Sequence, residues 1–242
     1  MSSATPVPAA RPWNVALVGN PNCGKTALFN LLTGARQKVA NYAGVTVERK
    51  VGLVRLASGH TVSVIDLPGV YSLHPATPDE EVTMEVIEGR RAGEAPVDAV
   101  VAVVDATNLR MNLRLVLELQ RLGHPVIVAL NMTDVAKARG LTINVARLST
   151  ELACPVVETV AVQHNGHTNL LAQLDHDFAS ALAAPDLNAA QPAIATHHTP
   201  RASADIQREV RRILAIAAPV LCSFSAFTFG SMRGPCTRFG VW

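Results

Sequence analysis

The 242-residue chain carries a formal net charge of +2, with 49% apolar and 17% charged residues. That length suits one α/β domain of ordinary size with a smaller appendage, and the apolar share supports a sizeable core. With only 4% aromatic residues and no long run of one charge sign, neither base stacking nor phosphate attraction points to a nucleic-acid partner.

Residues 1–12 are Ala/Pro-rich without an apolar stretch, and read as a disordered lead-in rather than a signal peptide. Asn14–Val18 is a short apolar run before a glycine loop, so it predicts a buried strand, and Thr26–Leu32 follows with helical spacing. Gly34–Val45 has mobile-loop composition. Val45–Leu56 and Thr61–Ile65 are rich in β-branched residues and flank Ser58-Gly59, a hairpin signal that puts one antiparallel strand in the sheet. Asp98–Val104 and Pro125–Leu130 are continuous apolar runs of buried-strand type, separated by a helical stretch at Leu109–Leu122. A helix over Thr142–Leu152, a strand at Pro155–Glu158 and a helix over Thr168–Leu182 complete the pattern.

Strands alternating with helices imply a mostly parallel sheet with helices on both faces. The predicted layout is a nucleotide-binding domain over 13–183, an Ala/Pro/His-rich linker over 184–202, and a partial helical segment with an atypical tail over 203–242. Within that last part, Ala204–Ala217 reads as one amphipathic helix. Ile213–Phe229 is apolar but, at roughly 17 residues and with Pro219 inside, short for a membrane span. The four cysteines, Cys23, Cys154, Cys222 and Cys236, fit neither a zinc pattern nor a disulfide framework, and suit a reduced compartment.

Gly19-Asn20-Pro21-Asn22-Cys23-Gly24-Lys25-Thr26 satisfies the phosphate-loop pattern G-x-x-x-x-G-K-[ST] between a predicted strand and a predicted helix, with Ala27 next on that helix. Glycines let backbone N–H groups approach phosphates, and the helix N-terminus adds favourable partial charge. Lys25 is expected on the β- and γ-phosphates and Thr26 on Mg²⁺. Asp66-Leu67-Pro68-Gly69 is a D-x-x-G pattern, with Asp66 toward Mg²⁺ and the Gly69 N–H toward the γ-phosphate. Thr46, after Gly44 and Val45, is the candidate to close over Mg²⁺ and the γ-phosphate, with Thr33 and Thr61 as competitors.

Asn131-Met132-Thr133-Asp134 at the end of a predicted strand is the N-x-x-D guanine reader. A carboxylate at Asp134 accepts from guanine N1–H and the 2-amino group, whereas adenine leaves that charge unpaired. The loop Thr159–Gly166, with Val160, Ala161 and Val162, falls where a second base-contacting segment belongs, and Ala161 is its candidate backbone donor. His164, His167 and His176, and the pair His197-His198, read as solvated loop histidines rather than a metal site.

GNPNCGKTALFNLLTG, NYAGVTVERK, DLPGVYSL and DATNLRMNLRLVLELQRLGHPVIVALNMTD resemble the cytosolic G domain of the FeoB ferrous-iron transporters over about Trp13–Leu174, with a fainter echo in QREVRRILA. The resemblance implies a Ras-like P-loop GTPase fold, GTP/GDP and Mg²⁺ as ligands, and Gly34–Thr46 and Asp66–Glu80 as switch segments. It also implies that Asn22 helps to hold K⁺, which would neutralise charge developing in the transition state. It further implies a membrane iron-permeation domain as partner, hence a cytoplasmic place on the inner face of the cell membrane, and leaves a homo-oligomer open.

Departures are Cys23 for the usual serine, which raises redox sensitivity against inert packing, and Ala43 for a usual proline. Val70 stands where Ras-like enzymes keep the water-positioning glutamine, so slow hydrolysis is expected. Two alternatives stand beside the GTPase: a truncated module that binds nucleotide and barely hydrolyses it, and a ribosome- or tRNA-directed GTPase, which the lack of a basic appendage disfavours.

Overall fold

The computed structural model describes residues 12–34, 37–42, 44–74, 76–183 and 203–219. Their elements run β1 (Trp13–Gly19), α1 (Lys25–Thr33), β2 (Gln37–Asn41), β3 (Glu48–Arg55), β4 (Thr61–Asp66), α2 (Pro78–Ile87), β5 (Ala99–Asp105) and α3 (Leu109–Arg121). They continue with β6 (Val126–Asn131), α4 (Thr133–Ala138), α5 (Val145–Leu152), β7 (Val156–Glu158), α6 (Thr168–Ala183) and α7 (Ser203–Ala217). The lead-in, the linker, the tail beyond 219, Ala43, Cys222, Cys236 and His197-His198 lie outside the described residues.

The strands form one sheet in the order β2-β3-β4-β1-β5-β6-β7. β1 pairs in parallel with β4 and β5, and β6 with β5 and β7. β3 runs against both of its neighbours, so it is the antiparallel strand that the hairpin signal predicts.

The central strands are apolar along most of their length because both faces are covered. Ala16 and Val18 face one core with Val100, Ala102, Val104, Val128 and Leu130, while Val15 and Leu17 face the other with Val101, Val103, Ile127 and Ala129. Alternation along the pleat sends successive side chains to opposite faces. α1 and α6 close the second face through Leu28, Phe29, Leu170 and Leu174. α2, α3, α5 and α7 close the first through Val82, Leu113, Leu148 and Ile206.

Three elements depart from expectation. Gly34–Val45 contains the edge strand β2, whose five residues are all exposed, so no burial pattern marks it; its support is the ladder to β3. α2 begins inside the expected switch, at a variant of the capping box: Thr77 Oγ1 accepts from Glu80 N at 3.3 Å and Glu80 Oε2 from Ala76 N, one residue before the cap, at 3.1 Å. α7 is docked on the domain: Ile206, Val210, Ile213 and Leu214 are buried in the shared core, Asn144 N donates to Ala217 O at 2.8 Å, and Arg212 pairs with Glu151. Among the described residues no helix is long and apolar enough to cross a membrane.

Candidate functional site

β1, β4, β6 and β7 all end on the same edge of the sheet, and the predicted motifs sit on those ends. Leu17 is opposite Asp66 in the β1–β4 register, Asp105 opposite Asn131 in β5–β6, and Leu130 opposite Glu158 in β6–β7. Carboxyl ends of parallel strands are where open α/β sheets bind ligands.

The loop Asn20–Gly24 turns from β1 into α1 through left-handed backbone at Asn22 (φ 65°) and Gly24 (φ 85°). A Cβ at Gly24 would stand 2.3 Å from Asn131 Nδ2, so glycine is required there by close approach as well as by φ. At Gly19 a Cβ would lie 2.7 Å from both Cys23 Sγ and Val103 O. Cys23 therefore points down into the core beneath the loop; burial pushes its thiol up to about 11. A buried, protonated thiol is a packing group, which favours inert packing over redox sensitivity at Cys23.

Lys25 opens α1, and its ammonium forms an ion pair with Asp66 at the end of β4, both side chains being buried. Thr26 and Ala27 follow on the exposed side of the first turn, and Pro21 and Asn22 are exposed on the loop. Asp66, Leu67, Pro68 and Gly69 then run beside the loop: Leu67 N donates to Leu17 O at 3.1 Å, Val70 N donates to Gly19 O at 3.1 Å, and a Cβ at Gly69 would meet Pro21 at 3.4 Å. Val70 is 1% exposed with its side chain in the core, so it is turned away from the loop as well as apolar.

Asn131, 1% exposed, joins three segments. Its Nδ2 donates to Cys23 O at 3.0 Å, and its Oδ1 accepts from Ala161 N at 3.0 Å, with Thr159 Oγ1 at 3.5 Å. The Ala161 N–H, expected to be offered to the base, is in this structure engaged by Asn131. Met132 takes a left-handed conformation (φ 59°), which turns the chain from β6 into α4 and sets half-buried Asp134 in its first turn. In the facing loop, Val160 N donates to Gly166 O at 2.9 Å, and a Cβ at Gly166 would sit 1.9 Å from Val160 O. Val162 projects from the same loop, 83% exposed.

Thr46 is exposed on a turn closed by Tyr42 N donating to Val47 O at 2.9 Å. Its competitors are used elsewhere: Thr33 Oγ1 donates to Phe29 O at 2.8 Å within α1, and Thr61 starts β4. Tyr42 anchors this turn from below; it is buried, with Arg91 over its ring at 5.7 Å. His164 is exposed, and the half-buried His167 ring is held below its usual range by burial and by nearby His164.

One residue near the site was not singled out from the sequence. Glu118, on α3, is 5% exposed and accepts from Leu73 N at 2.8 Å, just beyond Asp66–Gly69. Its signal is a carboxylate among the inward positions Leu115, Val116 and Leu119.

The family model for ferrous iron transport protein B matches residues 13–174. Fe(2+) transporter FeoB of Salmonella typhimurium strain LT2 is 47% identical over 170 residues, 69% of this chain. FeoB of Escherichia coli K12 is 46% identical over 165 residues, 66% of this chain. The chain spans only 21% of the length of either relative. Among solved structures, an S. thermophilus NFeoB mutant bound to GDP is 44% identical at a TM-score of 0.62, covering 68% of this chain and 60% of that one. The cytosolic domain of T. maritima FeoB in its GMPPNP form is 38% identical at a TM-score of 0.63, covering 71% and 64% respectively. On sequence, fold and the matched motifs, the chain belongs to the ferrous iron transport protein B family.

Proposed function

We propose that this chain binds GTP and GDP and slowly hydrolyses GTP to GDP and phosphate, as the cytoplasmic switch unit of a ferrous-iron transport protein at the inner face of the membrane. The observation that carries this is Asn131, which ties the phosphate loop at Cys23 to the loop at Ala161 directly beside Asp134. Phosphate and base recognition are thereby built as one rigid unit, and the GDP and GMPPNP forms of the solved relatives agree with it.

The site's own residues suit the work. Lys25 would exchange its ion pair with Asp66 for the β- and γ-phosphates, leaving the Asp66 carboxylate free. Asp66 and the Thr26 hydroxyl, with Thr46 closing from the turn above, offer only hard oxygen donors, which fits Mg²⁺. Bound there, Mg²⁺ supplies charge neutralisation across the β- and γ-phosphates. The exposed Asn22 amide fits K⁺, which supplies further positive charge beside the phosphates. The Gly69 N–H, held against Pro21, would donate to a γ-phosphate oxygen, while Asp134 accepts from guanine N1–H and the 2-amino group.

Because Val70 is buried, the attacking water has to be oriented by backbone groups of Gly44–Thr46 and Gly69. That observation also favours the second reading, a module that binds nucleotide and barely turns over. Phosphate release with MgCl₂ in KCl against NaCl separates them: the GTPase reading expects slow turnover, several-fold faster in KCl. No release in either salt, with GDP binding retained, leaves the binding module.

A further inference from the structure

The geometry points to Glu118 as a positioning residue for the D-x-x-G segment: its carboxylate holds the Leu73 amide, and so keeps Gly69 against the phosphate loop. Three observations converge on it. First, the carboxylate is 5% exposed, in an inward position on α3 where an apolar residue would otherwise pack. A buried charge persists there only when paired, and its partners are specific: Oε1 accepts from Arg114 Nε at 2.9 Å and Oε2 from Leu73 N at 2.8 Å.

Second, the segment after Gly69 has backbone anchors at both ends. Val70 N is held by Gly19 O at 3.1 Å, and Leu73 N by Glu118. The side chains of Val70 and Leu73 are buried in the same core as α3, whereas Tyr71 between them is exposed. The stretch is thus a short bridge pinned at the phosphate loop and at α3. Third, Gly69 sits at the loop end of that bridge, in contact range of Pro21. Without the Leu73 anchor, the Val70–Gly19 bond alone holds Gly69 beside the loop, and motion of the freed stretch Tyr71–Leu73 loads that bond.

The inference rests on the GTPase reading, since its consequence is selective for the γ-phosphate. GDP is held by the phosphate loop and Asp134 and does not need the Gly69 amide. A triphosphate does. Glu118→Met, which keeps volume and removes the acceptor, should weaken binding of the fluorescent analogue mant-GMPPNP about tenfold, leave mant-GDP within about twofold, and lower kcat about tenfold. Glu118→Gln keeps an acceptor oxygen and should restore most of this. Arg114→Ala leaves the Leu73 bond in place but takes away the buried carboxylate's cation partner, so it should lower stability while keeping the wild-type ratio of mant-GDP to mant-GMPPNP affinity.

In nucleotide-free protein, hydrogen exchange at the Leu73 amide should quicken at least about tenfold in Glu118→Met and stay slow in Glu118→Gln. Equal weakening of GDP and the triphosphate analogue, a Gln variant as impaired as Met, or unchanged Leu73 exchange overturns the inference. If the wild type bound neither guanine nucleotide, the GTPase reading would fail. Leu73 exchange would still decide the anchor.

Discussion

Replacing Asn131 with alanine separates a residue that touches the base from one that assembles the site. The substitution removes two hydrogen bonds of 3.0 Å, to Cys23 O and from Ala161 N, in a position that is 1% exposed. Each neutral bond is worth about 0.5–1.5 kcal/mol net, and a buried amide left unpaired adds about 1–3 kcal/mol, so the nucleotide-free protein should lose about 3 kcal/mol. With a denaturant slope near 2 kcal/mol/M, the urea midpoint falls by about 1.5 M. Equilibrium unfolding without nucleotide is the assay, with GDP titration on the same sample. GDP affinity should also drop at least about tenfold, because the loops at Cys23 and Ala161 lose their common tie. A midpoint within about 0.3 M of wild type, with GDP binding abolished, would refute the knit and leave Asn131 as a base ligand alone.

Two further outcomes follow from buried groups. The Tyr42 hydroxyl is buried with no partner among the described residues, and burial pushes its phenol well above the usual range. Tyr42→Phe should therefore leave the melting temperature unchanged or raise it, and a loss of more than about 1 kcal/mol would contradict the assignment. Burial pushes the Cys23 thiol up to about 11, whereas an unfolded thiol titrates near 8.5. The unfolded chain then sheds this proton first, so the contribution is intact below about pH 8.5 and is lost as pH rises toward 11. Unfolding free energy measured across that window should fall more steeply in wild type than in Cys23→Ala, by up to about 1.4 kcal/mol per pH unit. Parallel slopes would place the thiol in solvent.

Much of the fold can be read along the chain because its central strands are buried on both faces and appear as unbroken apolar runs, as at Val126–Leu130. The edge strand β2 is invisible for the opposite reason: Gln37–Asn41 is exposed throughout and is a strand only because β3 is beside it. The start of α2 was legible in Thr77-Pro78-Asp79-Glu80, a cap followed by proline and a reciprocal glutamate, but it lay within a segment assigned to switching. Local motifs marked the phosphate loop, Asp66–Gly69 and Asn131–Asp134. They did not carry the tertiary ties between them, so Asn131 was legible as part of a reader and not as the joint between two loops. Nor did they mark the tie of the Ala161 amide, read along the chain as a donor to the base, to Asn131, 30 residues away in sequence. At Cys23 the sequence left redox sensitivity beside inert packing, and the side chain turns into the core.

The central claim, that this edge of the sheet reads guanine nucleotide, is tested most directly by calorimetric titration of the chain with GDP and with ADP in MgCl₂, alongside Asp134→Ala. The account predicts GDP binding, ADP at least about 100-fold weaker, and loss of that preference in the variant, about 2.7 kcal/mol of discrimination resting on one carboxylate. Equal affinity for the two nucleotides, or a GDP preference that survives removal of Asp134, would contradict it.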